Sequence, residues 1–340
     1  MRCDLSFVVF LGLAGAASQA SAQELAARVS FKGHTFRVDK TALSPDGKIL
    51  ASGGGDTRGG ELKLWDAATG KEIASLPGFT NSIYALVFSP DGKTLASAGI
   101  SPVQVWDVMA HKQIHKFGDR FSGEWINTLA YSHDGKKLGW SSWRETHVWD
   151  LDNGKELASW KRPFYSYGSM ALSRDLATLA KTDHQEIDLY TIASGKVKAT
   201  LSEHRGGVGF LSYSEDGKTV LAASTWYRDH NFKYQGDVKL WDVATASERV
   251  SFKGPFGRIS EAALSPDGKT LALLDSPQLR VIPDIKIIDV ASGRQTIIRK
   301  LPSHTFTSLS FTRDGRLFVV GNSDETTVHL WQVQFHRICE

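Results

Sequence analysis

The chain has 340 residues, a net charge of +3 from 40 Lys and Arg against 37 Asp and Glu, and two cysteines. A charge so close to neutrality argues against a nucleic-acid-binding protein, which normally concentrates basic residues on one face. The length exceeds that of the usual single domain, so the chain either divides into domains or repeats one unit.

The first 22 residues have the three parts of a secretory signal. Arg2 supplies positive charge, Leu5–Ala17 is apolar, and the Ala-Ser-Ala tripeptide at 20–22 is a small-residue cleavage site. The apolar run is shorter than the roughly 20 residues of a transmembrane helix. We therefore expect a secreted protein, periplasmic in a Gram-negative-type bacterium and not integral to a membrane. An uncleaved anchor and a buried N-terminal strand are the alternatives.

Cleavage after residue 22 would remove Cys3 and leave Cys339 as the single cysteine of residues 23–340, which we expect to form one domain. That domain must be stable without an internal disulfide, even in an oxidising compartment. Cys339 lies in a predicted C-terminal tail at about 334–340. A bystander thiol, a reactive thiol and a covalent dimer all remain open for it. The expected state of the protein is a monomer.

Two short motifs recur in register along the chain. One is a Ser-x-Asp-Gly-Lys turn, complete or degraded, in which glycine accepts a positive φ and aspartate bonds the backbone. Its aspartates lie 41 to 51 residues apart, at Asp46, Asp91, Asp134, Asp175, Asp216, Asp267 and Asp314. The other is a Trp-Asp pair or a partial version of it, at Trp65, Trp106, Trp149, Tyr190, Trp241, Ile288 and Trp331. A period of about 40–45 residues is typical of four-stranded propeller blades.

Each repeat contains runs typical of strands on both sides of these motifs. In the second repeat, Ile83–Phe88 and Lys93–Ser97 flank the turn, and Val103–Asp107 ends in Trp-Asp. In the first repeat, Glu72–Leu76 follows a second glycine-bearing turn as a fourth strand. Short strands separated by frequent turns predict an all-β fold. The period selects a seven-bladed β-propeller with four-stranded antiparallel blades.

The last repeat ends at Trp331 without room for an outer strand. The missing strand is predicted at the other end of the chain, because Arg28–Gly33 repeats the sequence of Arg249–Gly254, the outer strand of the fifth blade. We predict that residues at about 26–31 pair beside 327–333 as the outer strand of blade 7. Ring closure of this kind protects sheet edges from aggregation.

From Arg28 to about Val333 these repeats resemble the WD-repeat family, as a divergent member. The resemblance implies that the tryptophans are structural: Trp65, Trp106, Trp149, Trp241 and Trp331. It also implies a buried network of tryptophan, histidine, serine or threonine, and aspartate, which blade 1 can supply from His34, Ser52, Asp56 and Trp65. Most other blades lack the histidine, so apolar packing is expected to be the main interaction that holds them. Blade 4 is the expected weak sector, because Leu176 replaces the turn glycine and Tyr190 the tryptophan.

The family resemblance implies a non-catalytic platform for an unknown protein or peptide partner. Its binding face would consist of the loops between the second and third strands of each blade and those between successive blades. Blade 5 has the longest insertion, Thr225–Gly236. Tryptophan, tyrosine and arginine dominate binding hot spots. The candidate partner-binding residues are Trp226, Tyr227, Arg228, Phe232 and Tyr234 in that insertion, and Trp125, Trp143 and Arg144 in shorter loops. The alternative is that these rings cover their own blades as structural lids.

The second functional hypothesis is a small-ligand-binding or metal-dependent enzyme, similar to propeller lactonases, with its site in the central channel. Such enzymes carry acidic metal ligands on the channel-lining strands. Here those strands hold few acids, with Asp39 and Glu261 near their starts. The chain also lacks a G-x-S-x-G nucleophile motif and a phosphate-binding loop. We therefore expect no catalytic residues, metal or cofactor.

Overall fold

The computed structural model describes residues 27–100, 102–118, 125–142, 144–161, 169–183, 185–202, 204, 206–228, 234–254, 256–276, 283–298, 305–322 and 326–333. These residues form 28 strands and no helix. In particular, none of these ranges contains a helix with the length and apolar character that a membrane crossing requires. The expected signal, Cys339 and the C-terminal tail lie outside the described residues.

The strands form seven antiparallel sheets of four strands each. We call the sheets blades 1 to 7 and their strands a to d, from the inside outwards. The a strands of successive blades contact one another, and the a strand of blade 7 contacts that of blade 1. The predicted seven-bladed β-propeller is therefore confirmed.

Six blades take their four strands consecutively from the chain. In the order a to d, blades 1 to 3 consist of β2 Val38–Leu43, β3 Ile49–Asp56, β4 Gly59–Asp66, β5 Glu72–Leu76; β6 Ile83–Phe88, β7 Thr94–Gly99, β8 Val103–Asp107, β9 Lys112–Phe117; β10 Ile126–Tyr131, β11 Lys137–Ser142, β12 Glu145–Asp150 and β13 Lys155–Lys161. Blades 4 to 6 consist of β14 Met170–Leu172, β15 Thr178–Asp183, β16 Glu186–Thr191, β17 Lys196–Leu201; β18 Gly207–Tyr213, β19 Thr219–Arg228, β20 Tyr234–Asp242, β21 Glu248–Gly254; β22 Arg258–Leu264, β23 Thr270–Ser276, β24 Asp284–Asp289 and β25 Gln295–Ile298.

Blade 7 is completed from the other end of the chain. Its strands are β26 Thr305–Phe311, β27 Leu317–Asn322, β28 Val328–Val333 and, as strand d, β1 Ala27–Phe31. Phe31 is fully buried, and its ring meets that of Trp65 in blade 1 edge to face at 5.8 Å. The N-terminal strand thus completes blade 7 and also packs into its interface with blade 1, as predicted for ring closure.

The repeated turn joins strands a and b in every blade, with the same hydrogen bonds in blades 1 to 6 and a version one residue shorter in blade 7, where Thr312 Oγ1 accepts from the amide of Arg316 at 3.2 Å. In blade 1, Ser44 Oγ donates to Asp46 Oδ1 at 2.7 Å and accepts from the amide of Ile49 at 2.9 Å. Gly47 adopts a φ of +73°, which a residue with a side chain adopts only at a cost. The turn therefore satisfies its own polar groups, which explains why its sequence recurs.

The aspartate of the Trp-Asp pair closes the turn between strands c and d. In blade 1, Asp66 Oδ1 accepts hydrogen bonds from the amides of Ala68 and Thr69 at 3.1 and 2.7 Å. The tryptophans occupy the blade interiors, although Trp149 is only partly buried. The other four are at most 5% exposed: Trp65, Trp106, Trp241 and Trp331.

The predicted network in blade 1 is present, but its acid is Glu61 and not Asp56. Trp65 Nε1 donates to Ser52 Oγ at 2.6 Å, Ser52 Oγ bonds His34 Nε2 at 2.6 Å, and His34 Nδ1 bonds Glu61 Oε2 at 3.0 Å. Asp56 instead pairs with Arg58 at the end of the hairpin. Burial lowers the pKa of His34, which favours the neutral ring that can accept from Ser52 and donate to Glu61.

Blade 5 contains a similar set that the sequence analysis missed. His204 Nδ1 bonds Asp237 Oδ1 at 3.0 Å, Trp241 Nε1 reaches His204 Nε2 at 3.4 Å, and the Asp237 amide donates to Ser224 Oγ at 2.8 Å. The spacing gives the signal. Each acid lies four residues before its tryptophan, and His34 and His204 each lie four residues before the first buried valine of strand a.

Blade 6 replaces this network with a buried ion pair. Ile288 occupies the tryptophan position. Lys286 Nζ bonds Asp275 Oδ2 at 2.5 Å and lies 4.7 Å from the ring centre of Phe256. Asp275 Oδ1 also accepts a hydrogen bond from the Gly257 amide at 2.7 Å. Blade 6, which was expected to rely mainly on apolar packing, therefore combines its apolar core with a buried ion pair.

Leu176 adopts the positive φ expected from its position in the turn of blade 4, with a value of 52°. Its side chain is only 5% exposed and packs with Val148 and Leu172 between blades 3 and 4. Gly139 of blade 3 leaves room for it, since a Cβ at that glycine would lie 3.0 Å from Leu176 Cδ2. The strained turn residue is therefore also part of the interblade core.

Candidate partner-binding face

The b–c hairpins and the d–a loops lie at the same end of the blades, because adjacent strands are antiparallel. We call this end the upper face. The blade 5 insertion, expected as a loop, instead extends both of its strands. Tyr227 pairs with Gln235 and Arg228 with Tyr234 in the ladder of β19 and β20, and Trp226 pairs with Gly207 of β18. The insertion is therefore a long β-hairpin in its described part.

The structure describes the backbone but not the side chains of Trp226, Tyr227, Arg228 and Tyr234. Phe232 and Trp143 lie outside the described residues. Arg144 is exposed, and its amide donates to Ser142 Oγ at 3.2 Å. Whether the rings of the insertion bind a partner or cover blade 5 stays a prediction.

Trp125 is the candidate with the clearest surroundings. It is 56% exposed, at the entrance to blade 3. Its ring stacks on that of Tyr84 in blade 2, with centroids 5.6 Å apart and planes 28° apart. Its backbone also forms an isolated bridge with Ile100. The ring is therefore fixed by a neighbouring blade while a large part of it faces solvent.

Tyr84 was not predicted, although the repeats contain a signal for it. The same position of strand a holds Gly209 in blade 5 and Ser260 in blade 6. An aromatic ring where blades 5 and 6 have a small residue indicates a local purpose. Tyr84 lines both the central channel and a groove on the upper face, so it marks the boundary between these two spaces.

The upper-face groove has a volume of about 510 Å³ and lies between blades 1, 2 and 7. Most of its described lining residues are polar, with three larger apolar or aromatic ones: Thr35, Arg37, Gly55, Asp56, Thr57, Arg58, Asn81, Ser82, Thr326, Phe36, Tyr84 and Ile100. Ser82 donates to the Gly55 carbonyl at 2.7 Å, which ties the blade 2 entrance to the blade 1 hairpin. The groove thus has walls from separate blades held together by a hydrogen bond.

Charges at this groove are compensated locally. Arg58 Nη2 lies 2.6 Å from Asp56 Oδ2, and Arg37 Nη2 lies 2.6 Å from Asp39 Oδ1. The guanidinium of Arg58 also lies 5.8 Å from the ring centre of Phe36. The hydrogen bond from Arg58 is the largest cause that lowers the pKa of Asp56. The described lining of the groove therefore has two aromatic rings and two arginines, and its charges nearly cancel.

The central channel encloses a cavity of about 380 Å³. Glu261 is the single carboxylate among its described lining residues, and Lys40 Nζ lies 3.7 Å from it. Burial raises the pKa of the Glu261 carboxyl despite that neighbour. In the described part of the chain, no group of three or more His, Cys, Asp or Glu side chains could hold a metal ion.

Comparisons with known proteins agree with the repeat pattern. The family model described as "WD domain, G-beta repeat" matches residues 27–66, 70–101, 195–242 and 295–332. Periodic tryptophan protein 2 of Arabidopsis thaliana is 24% identical over 301 residues, which are 84% of this chain and 28% of that protein. Small ribosomal subunit protein RACK1 of Caenorhabditis elegans is 37% identical over 84 residues, 25% of each chain. The alignments thus span little more than a quarter of these relatives. Together with the closed ring of blades, the matched segments show that the chain contains WD repeats in a seven-bladed β-propeller fold.

Proposed function

We propose that the protein is a non-catalytic interaction scaffold that binds a protein or peptide partner on its upper face. The observation that carries this proposal is the Trp125–Tyr84 pair, which holds an exposed indole in one orientation. A rigid aromatic side chain loses little conformational entropy on binding, and such residues commonly anchor interfaces.

The repeat architecture supports a scaffold in a second way. The hydrogen bonds of the a–b and c–d turns recur at the opposite end of the blades, whereas the upper face differs from blade to blade. Constant turns stabilise the ring, and variable loops on a rigid frame are where proteins usually bind their partners. The relatives named above are WD-repeat proteins, which is consistent with an interaction role.

A photo-crosslinking residue in place of Trp125 tests the proposal. Partner proteins should be covalently captured from cells through position 125. The matched control places the same residue at Met109, which is 80% exposed in the blade 2 c–d turn at the opposite end. Equal products from both positions would show that the upper face is not the binding face.

The blade 5 hairpin is proposed to contribute to the same face. Trp226→Ala and Tyr227→Ala should weaken partner capture by about 1 kcal/mol or more, on the scale of hot spots, and leave the melting temperature nearly unchanged. If both substitutions lower the melting temperature while capture survives, the rings are structural lids.

We further propose that the scaffold acts outside the cytoplasm, in the periplasm or the extracellular space. The support is the signal-like segment at 1–22. Fractionation of expressing cells, with N-terminal sequencing of the purified protein, tests this location. The expected result is an exported chain that begins at Gln23. A cytoplasmic chain that retains residue 2 would contradict it.

A further inference from the structure

The upper-face groove described above has features that restrict the kind of peptide it can bind. Peptide segments are recognised in a small number of ways: as an added strand, as a helix in an apolar groove, as a polyproline II segment on aromatic rings, or through a phosphate or terminal charge. Each mode requires a different surface, so the lining of the groove decides between them. This inference rests on the proposed function.

Strand addition does not fit the blade 1 wall of the groove. The residues that form it are already paired with each other, since Gly55 pairs with Gly60 and Asp56 with Gly59. An incoming strand needs a row of free backbone amides and carbonyls. The end of a closed hairpin does not provide one.

A helix and a strongly charged ligand fit no better. An amphipathic helix needs an apolar groove, and most residues that line this groove are polar. The cations among the described lining residues are Arg37 and Arg58, and each already pairs with an aspartate. A phosphate or terminal carboxylate would therefore compete with an existing carboxylate for each arginine.

The remaining mode matches the surface. A polyproline II segment presents flat pyrrolidine rings and leaves its backbone carbonyls without internal hydrogen bonds. Tyr84 borders the groove, and Trp125, stacked on it, supplies an exposed ring face. Asn81 on the groove wall has an amide nitrogen whose contact is a long one, 3.3 Å to Thr80 Oγ1, so it can donate to a peptide carbonyl. A ligand of this kind is close to neutral, as the groove is.

We propose that the groove between blades 1, 2 and 7, with the Tyr84–Trp125 ridge beside it, binds a proline-rich peptide segment in the polyproline II conformation. Proline rings pack on the two aromatic rings, and a backbone carbonyl of the segment accepts a hydrogen bond from Asn81. The affinity comes from the rings and the preformed ligand conformation, so it depends weakly on salt.

A library of short random peptides displayed on phage and selected on the purified full-length protein tests this. Clones are eluted and re-tested on Trp125→Ala and Tyr84→Ala, and binding of the corresponding synthetic peptides is measured by calorimetry. Met109→Ala is the surface control, and thermal midpoints check that every variant is folded. Trp125 is exposed, so its variant keeps the test valid even if Tyr84→Ala fails to fold.

The expected result is enrichment of paired prolines separated by two residues in clones that depend on Trp125. For these peptides, Trp125→Ala should weaken binding by about tenfold or more, on the scale of a hot spot. Tyr84→Phe, which keeps the ring, should bind like the unchanged protein.

Two different results would overturn the inference, and they can be told apart from each other. Clones that depend on Trp125 but show no proline preference would refute the ligand class and leave the scaffold proposal standing. If no clone depends on Trp125, the groove is not a peptide site. The scaffold proposal then depends on the crosslinking result, which uses partners from cells and not this library.

Discussion

Ser52 is the residue on which the blade 1 network depends, because it bonds both Trp65 and His34. Ser52→Ala should destabilise the protein by about 1–3 kcal/mol, since it leaves a buried indole N–H and a buried imidazole nitrogen without partners. Ser97 is the matched control, because it accepts from Trp106 Nε1 at 3.0 Å in a blade where no histidine bond accompanies it among the described contacts. In urea unfolding, Ser97→Ala should lower the free energy of unfolding by less than Ser52→Ala does. Equal losses would mean that the histidine contributes nothing.

Two residues with positive φ give a second test at this scale. Ala246 has a φ of 55° and is only partly buried. Ala246→Gly should therefore raise the free energy of unfolding by about 1 kcal/mol through relief of backbone strain. Leu176→Gly should instead lower it by about 2 kcal/mol, since the lost interblade packing outweighs the same relief. Stabilisation of both variants in urea would show that the burial of Leu176 contributes little.

The tryptophans were predictable because each lies in a motif that repeats. The acids of the networks were harder to assign, because sequence order favoured Asp56, in the b–c turn, over Glu61. Asp56 points towards Arg58, two residues away, while Glu61 lies on the strand that also carries Trp65. His204 was missed since no glycine precedes it. Only the alignment of blades 1 and 5 makes its role visible.

At the scale of the element, the role of β1 as the closing strand can be tested directly. Phe31→Ala should cost about 3–5 kcal/mol, as for other buried aromatic residues. It should also speed amide exchange selectively in β28 and at the blade 7 and blade 1 interface. Phe252→Ala is the matched control, because it occupies the same position of the repeated segment in β21 and is 6% exposed. Its effect on exchange should stay within blades 5 and 6. Loss of protection around the whole ring in both variants would contradict a local role for the closing strand.

Blade 4 remains the blade expected to be least stable, and the structure shows one feature that weakens it and one that stabilises it. Its strand a, β14, has only three residues, so it forms fewer backbone hydrogen bonds with β15 than a longer strand would. Leu176 partly offsets this through its contacts with blade 3. Hydrogen exchange should show β14 and β15 less protected than β6 and β7 of blade 2. Equal protection would mean that interblade packing decides local stability more than strand length does.

The blade 5 insertion shows where sequence patterns stop being informative. A run of aromatic and mixed polar residues between two strands is compatible with a loop and with two longer strands. Which of the two forms depends on whether the backbones of the flanking strands continue to pair beyond the part of the blade that is buried. The candidate groove and the ridge beside it are harder still to predict, since Phe36, Tyr84 and Trp125 come from three different repeats.

For the whole molecule, the repeated turns predict how stability depends on pH. Hydrogen bonds from Ser132, Ser265 and Thr312 lower the pKa of Asp134, Asp267 and Asp314 below the ordinary value of 3.8. Above about pH 5 both folded and unfolded chains carry these carboxylates ionised, and the full stabilisation is present. As the pH falls through 3.8 towards the lower folded values, the unfolded chain takes up protons first and stability is lost.

Urea midpoints measured from pH 6 to about pH 3 should therefore fall steeply at the acid end. Ser132→Ala removes one hydroxyl donor and should lower stability by a constant amount at neutral pH. In addition, the further loss of stability between pH 6 and about pH 3 should be smaller in this variant. A midpoint that stays level across this range would show that the turn aspartates titrate normally in the folded protein.

The pairing of Ser30 with His329 joins residues 299 positions apart, whereas strand d of every other blade follows strand c through a short turn. Contacts so distant in sequence are slow to form. A circular permutant that starts at Lys32, and so keeps His34, and carries 27–31 behind Val333, joined by a copy of the turn at 67–71, would convert this pairing into a local hairpin. Such a permutant should fold faster at nearly unchanged equilibrium stability. In the natural order, β1 is synthesised before the other strands of the ring and can pair only after β28 has been made.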